Sequence, residues 1–215
     1  FGLSASVREL IADRPIAERE AKIGVPVAAY LGSKVLVLTL LVALQCSVLA
    51  TMGYLLLPLG GEYGYSLLAL CAVSSLTGFV GVSIGLWVSA RMTTSEGAVG
   101  TLPLILIPQI VFSGLLVRVK EMGVVADVLS RLMIVRYAFE ATLKTGERIT
   151  EYANSRIGRV ERDVSGLLHS LGFRTVDPND QGIPMEWLVA ILGVLSLVLL
   201  VWTHRTLVRS LRDRR

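Results

Sequence analysis

Charge-free runs divide the chain. Val35–Gly61 holds 27 residues without Asp, Glu, Lys or Arg, Tyr63–Ala90 is likewise uncharged, Gly97–Val117 holds 21, and Trp187–Thr203 holds 17. At about 1.5 Å per helical residue even the shortest covers about 26 Å, against a hydrocarbon core of roughly 30 Å. The pattern therefore predicts four membrane-spanning helices and an all-α, polytopic fold, because a backbone in lipid must satisfy its own hydrogen bonds. Trp187 and Trp202 flank the last span as interfacial anchors.

Within these spans a few residues stand out. Pro103 and Pro108 each remove a backbone donor and crowd the preceding turn, so the third span is expected to bend or locally unwind. Gln45 is an amide at mid-span, where a bond to a neighbouring helix is the expected role and a cavity the alternative. In the second span Gly78, Gly81 and Gly85 lie on or near one helical face, which suits close helix approach. Gly81-Val82-Ser83-Ile84-Gly85 also matches the G-x-S-x-G nucleophile elbow of hydrolases. That motif needs a strand-to-helix turn, whereas this one sits in a continuous helical run. The chain's two histidines are His169, in a predicted external loop, and His204, at the other end of the last span. Packing glycines account for the motif without chemistry.

The remaining segments set the topology. Residues 4–34 read as a cytoplasmic elbow: Val7, Leu10 and Ile11 form an apolar stripe, and Pro15 suits the start of a second short helix with Glu18 and Glu20 near its positive end. Residues 118–186 carry ten basic and ten acidic side chains, a solvated segment of no net charge rather than a binding patch. Long segments of this kind cross the membrane largely regardless of charge.

Composition agrees, with 53% hydrophobic residues and a mean hydropathy of +0.65. The net charge of +4 is fully accounted for by the tail from Arg205, with five arginines and one aspartate. A basic cluster beside a span is an orientation signal facing anionic lipid rather than a nucleic-acid site, and it places the C-terminus in the cytoplasm. Cys46 and Cys71 fall in apolar runs, so neither a disulfide framework nor a metal site is expected. No catalytic residue is predicted. The chain opens at Phe1 without a methionine or a signal peptide, and reads as a fragment.

Two blocks carry a family resemblance. Phe112-Ser113-Gly114-Leu115-Leu116-Val117 and Val135-Arg136-Tyr137-Ala138-Phe139-Glu140 resemble the fifth membrane helix and following external re-entrant segment of the G-subfamily of ABC exporters, the white and multidrug half-transporter group. Asp13, Arg19-Glu20, Ala29-Tyr30-Leu31 and Lys34 are similar, in that order, to the group's first intracellular loop. The resemblance implies a partial type-2 ABC exporter membrane domain, divided into the end of a preceding membrane helix plus coupling elbow (1–34), three spans (35–117), an external re-entrant segment and loop (118–186), a last span (187–204) and a basic cytoplasmic tail (205–215).

It further implies residue roles. Asp13, Glu18, Arg19 and Glu20 would couple to a nucleotide-binding domain. Leu106, Ile107 and Ile110 would line a substrate pathway at a dimer axis, Leu115 and Leu116 would close it from outside, and Arg136, Tyr137, Phe139 and Glu140 would form the re-entrant motif. No G-x-x-x-x-G-K-[ST] phosphate loop occurs, so no cofactor is expected in this fragment. ATP and Mg would sit on a nucleotide-binding domain upstream or on another chain. The implied function is the permease part of an ATP-driven half-transporter that exports a hydrophobic or amphipathic substrate, with a second half-transporter, the bilayer and the nucleotide-binding domain as partners. Eukaryotic relatives carry cysteines in the last external loop and this one has none, which points to a bacterial inner membrane. A polysaccharide or lipid type-2 permease, and a scaffold without ATPase, remain as alternatives.

Overall fold

The computed structural model describes residues 1–57, 65–113, 128–130, 133–153 and 185–212. They form helices α1 (Gly2–Ser6), α2 (Glu9–Ala12), α3 (Arg14–Lys22), α4 (Val27–Leu56), α5 (Leu67–Arg91), α6 (Ser95–Val111), α7 (Ile134–Ala153) and α8 (Met185–Arg212). No strand occurs among the described residues. Among the described residues three stretches, Val27–Leu56, Leu67–Arg91 and Glu186–Leu211, are long and apolar enough to cross a membrane.

Helix ends differ from the charge-free runs in ways the side chains explain. α4 starts at Val27, eight residues before the first uncharged position, because Lys34 is neutralised by Glu9 and Asp13. A paired lysine need not end a helix. α8 runs on through His204 and Arg205 to Arg212, so the basic tail is helical rather than loose. Thr203, Leu207 and Leu211 make a buried stripe at every fourth residue, while Arg205 and Arg209 are exposed. α6 begins where the Thr94 hydroxyl accepts the Gly97 N–H at 3.2 Å, a side-chain N-cap. It continues through Pro103 and Pro108 as one helix, so of the two outcomes expected there local unwinding does not occur. Each proline deletes only one bond of the ladder, and bonds such as Phe112 N–H to the Pro108 carbonyl at 2.9 Å hold the helix beyond it. The 17 described residues of α6 stop at Val111, and the rest of the predicted span lies outside the described residues.

The chain forms two compact units. The first comprises Phe1–Cys46, Gly78–Leu104 and Gly193–Arg215. Its core gathers Leu10, Ala17, Tyr30, Leu31, Leu38, Val42, Cys46, Val82, Leu86, Ala90, Leu207 and Leu211. α5 is at the centre of this unit because its small residues admit neighbours closely. A Cβ on Gly85 would collide with Ser6 Oγ and come within 2.8 Å of the Leu3 carbonyl; one on Gly81 would lie 3.1 Å from Leu3 N; and one on Gly78 would press on Val42 and Cys46. The glycine face thus seats α1 and α4. Because lipid is as apolar as leucine, it is such close packing rather than water exclusion that joins helices in a bilayer.

The second unit comprises Ser47–Thr77 and Ile105–Leu192. Its described core is small: Val73, Ala141 and Leu188, with Tyr137 packed against them.

Polar groups inside the spans are mostly satisfied along their own helices. Thr51, Thr77, Ser83, Thr203 and Thr206 each donate to the carbonyl one turn back. Gln45 differs: it is exposed on α4.

Candidate functional site

The elbow is the best-defined polar site among the described residues. α3 begins with Asp13 at its N-cap, whose carbonyl accepts the Ile16 and Ala17 N–H groups at 3.0 Å, and with Pro15 in the first turn. It ends in a Schellman turn. Gly24 adopts φ +90°, its N–H meets the Ala21 carbonyl at 3.4 Å, and the Val25 N–H meets the Glu20 carbonyl at 3.0 Å. A side chain at Gly24 would be strained.

Three polar attachments hold the elbow to the long helices. The buried Ser89 hydroxyl of α5 accepts the Leu10 and Ile11 N–H groups at 3.0 and 3.3 Å, so a distant side chain caps the first turn of α2. Arg14 donates from Nη2 to the Met92 carbonyl at 2.9 Å, just beyond the end of α5. Lys34 of α4 donates from Nζ to Glu9 Oε1 at 2.8 Å and also to Asp13 Oδ2. One cation therefore ties α2, the start of α3 and α4 together. Tyr30, one turn before Lys34, is buried, and its hydroxyl finds no partner among the described residues. Apolar contact reinforces these bonds, since Leu10 and Ala17 join the core that also holds Leu207 and Leu211 of α8.

What the elbow leaves outward is a ridge on α3. Ile16, Arg19 and Ile23 are exposed, and their spacing of three and seven residues puts them on one helical face. Ile23, the residue that caps α3, is 79% exposed. Chemically the ridge can dock a protein surface: two apolar contacts flank an arginine, with Lys22 exposed and Glu18 and Glu20 half-buried beside them.

The residues predicted from sequence separate accordingly. Arg19 lies on the ridge and Glu18 and Glu20 beside it, whereas Asp13 is engaged by Lys34 within the elbow. Glu9, Ser89, Arg14, Ile16 and Ile23 were not singled out. Glu9 and Asp13 stand four apart, a helical pair of acids that a lone lysine at the edge of a charge-free run could have revealed. Ser89 gave no such signal, because its partners are about eighty positions away.

In the second unit, Leu106, Ile107 and Ile110 are exposed on the single chain. Arg136, Tyr137, Phe139 and Glu140 lie in the first two turns of α7; Arg136 donates to Ser130 Oγ, Tyr137 joins the small core, and Glu140 is buried. Leu115 and Leu116 lie outside the described residues. Ser83 of the G-x-S-x-G run is fully buried in unbroken helix and donates to the Phe79 carbonyl at 3.0 Å, so it is a packing residue and no nucleophile elbow exists there.

No curated protein matches the chain. The family described as ABC-2 type transporter matches residues 1–145, the stretch from the N-terminal elbow through α6 and into the second half of α7. With three helices able to cross a membrane and an elbow fastened to their ends, the chain belongs to the ABC-2 type transporter family and is the membrane-embedded permease part of a type-2 ABC transporter.

Proposed function

We propose that this permease is one half of an ATP-driven exporter of the G-subfamily type, from a bacterial inner membrane, moving a hydrophobic or amphipathic substrate along a pathway at a dimer axis. The elbow faces the cytoplasm with the C-terminus and receives a nucleotide-binding domain on the Ile16–Arg19–Ile23 ridge, with Glu18 and Glu20 beside it. Asp13 acts from behind, by fixing the ridge to α4 through Lys34. Leu106, Ile107 and Ile110 face the pathway, Leu115 and Leu116 close its outer end, and Arg136, Tyr137, Phe139 and Glu140 support the external segment.

The observation that carries this reading is the combination of firm attachment and free face in α3. A coupling element must move with the membrane helices it drives, and the bonds through Ser89, Met92 and Lys34 provide that. It must also offer a surface to a partner, and the exposed ridge provides that. Charged groups desolvated at such a contact are worth a few kcal/mol. Arg19→Glu, assayed with the nucleotide-binding domain in place, is expected to insert and fold normally while substrate-stimulated ATPase activity falls about tenfold or more, equivalent to about 1.4 kcal/mol. Unchanged stimulation would remove the coupling role.

A further inference from the structure

Arg91, Trp87 and Trp202 form a cluster at the elbow end of the first unit that serves neither the packing face of α5 nor the coupling ridge. The Trp87 and Trp202 rings stack with centroids 6.3 Å apart at 30°, and the Arg91 guanidinium lies over the Trp87 ring, 4.8 Å from its centroid. Arg91 is exposed and has no acidic partner among the described residues. The Trp87 ring face holds the exposed guanidinium in place, and a guanidinium offers a planar fork of N–H donors suited to phosphate oxygens.

More cations reach the same place. α5 and α8 both deliver their C-terminal ends to the elbow: Ser89 and Met92 bond to it, and Leu207 and Leu211 pack with Leu10 and Ala17. The two helices therefore run parallel here. Arg91 lies one turn beyond Trp87, about 6 Å along the axis. Arg205 lies three residues beyond Trp202, about 4.5 Å along, so the two arginines come to nearly the same height. Arg205 and Arg209, at three and seven residues from Trp202, share its helical face and are exposed. Of the elbow's acids, Glu9 and Asp13 are engaged by Lys34, and Glu18 and Glu20 lie beside the ridge of α3.

The depth is that of a membrane boundary. α8 has 28 residues, about 42 Å, so its last turns must extend past a core of roughly 30 Å. A tryptophan pair marks the headgroup level, with the arginines just outside it. We infer that Arg91, stacked on Trp87, together with Arg205 beside Trp202, forms a seat for the phosphate of an anionic phospholipid in the elbow-side leaflet. Arg209 supplies a further turn of positive field. The charge calls for an anion, and the tryptophans at headgroup depth select one carried by a lipid.

The test uses tryptophan quenching in the full chain carrying Trp187→Phe, reconstituted in phosphatidylcholine nanodiscs. Phosphatidylglycerol brominated near the top of its acyl chains is compared with brominated phosphatidylcholine at equal mole fraction. The anionic lipid is expected to quench the Trp87–Trp202 pair more strongly. Arg91→Gln and Arg205→Gln should each lower that preference about five-fold, since a basic residue at an anionic surface contributes about 1 kcal/mol. Arg91→Lys retains the charge but not the stacked fork and should fall between the parent and Arg91→Gln, which separates loss of the seat from misfolding. Equal quenching by the two lipids overturns the inference, as does an undiminished preference in well-folded Arg205→Gln. Displacement by soluble glycerol phosphate would assign the site to a small free anion and equally overturn it.

Discussion

Helices α4 and α5 are nearly equally apolar, but 17% of the most apolar stretch is buried in α4 against 28% in α5. α5 places Val80, Val82, Ser83, Leu86 and Ser89 out of contact with solvent or lipid. α4 turns Leu36, Val37, Leu40, Leu41, Leu44, Val48, Leu49 and Met52 outward. Apolarity admits both helices to the bilayer but cannot choose which becomes central. That choice falls to residue size and to a few polar attachments. α5 has three glycines on the face that meets α1 and α4, and a serine that caps α2, whereas Gly32 and Gly53 of α4 face open space.

The largest effect is expected at Gly85. A methyl there meets Ser6 and the backbone of Leu3, which cannot retreat as a flexible side chain would. Gly85→Ala should therefore destabilise the chain by about 2–3 kcal/mol, read as a lower unfolding midpoint in detergent micelles. A midpoint unchanged from the parent would mean that α1 does not sit on the glycine face. Next in size is Lys34→Met. It leaves Glu9 and Asp13 facing each other without their cation, and because all three side chains are about one quarter to one third exposed, the loss is about 1–2 kcal/mol rather than that of a fully buried pair. Faster proteolysis between α3 and α4 is the expected readout, and parent-like resistance would show that the other attachments suffice.

Ser89→Ala removes the acceptor of two N–H groups at the start of α2, which should cost about 1 kcal/mol, as a lost N-cap does. Hydrogen exchange at Leu10 and Ile11 would report it directly, and unaltered protection there would count against the cap. The smallest effect belongs to Gly53→Ala on α4. With nothing near its added methyl, it should change stability by less than about 0.5 kcal/mol, and by contrast with Gly85→Ala it tests whether position on a packed face, rather than glycine itself, is what matters. A large loss at Gly53 would place a neighbour on that face.

Much of this was legible from sequence because the bilayer imposes a one-dimensional constraint. A run of about twenty apolar residues must become a helix in lipid, so the long helices could be placed before any contact was known. Pro15 also marked the start of the second short helix, and the glycine spacing marked a face for close approach. Extents were less legible. Lys34 and Arg205 looked like ends, yet α4 starts before one and α8 continues past the other. A lysine with two carboxylates at hand, or an arginine opposite a buried Leu207, does not stop a helix. The prolines of α6 leave the helix continuous, because each removes only one bond of a long ladder.

By itself the sequence determined the all-α class, the membrane as solvent, the elbow's position in the chain and the family to which the chain belongs. Each depends on local composition or on the order of short motifs. The tertiary structure decided which residues of the elbow are fastening and which are free. Asp13 and Arg19 are equally charged in the sequence, but only folding brings Lys34 to Asp13, Ser89 to the N–H groups of Leu10 and Ile11, and Met92 to Arg14. These partners come from helices whose separation along the chain carries no signal, so the division between anchor and docking face exists only once the helices have packed.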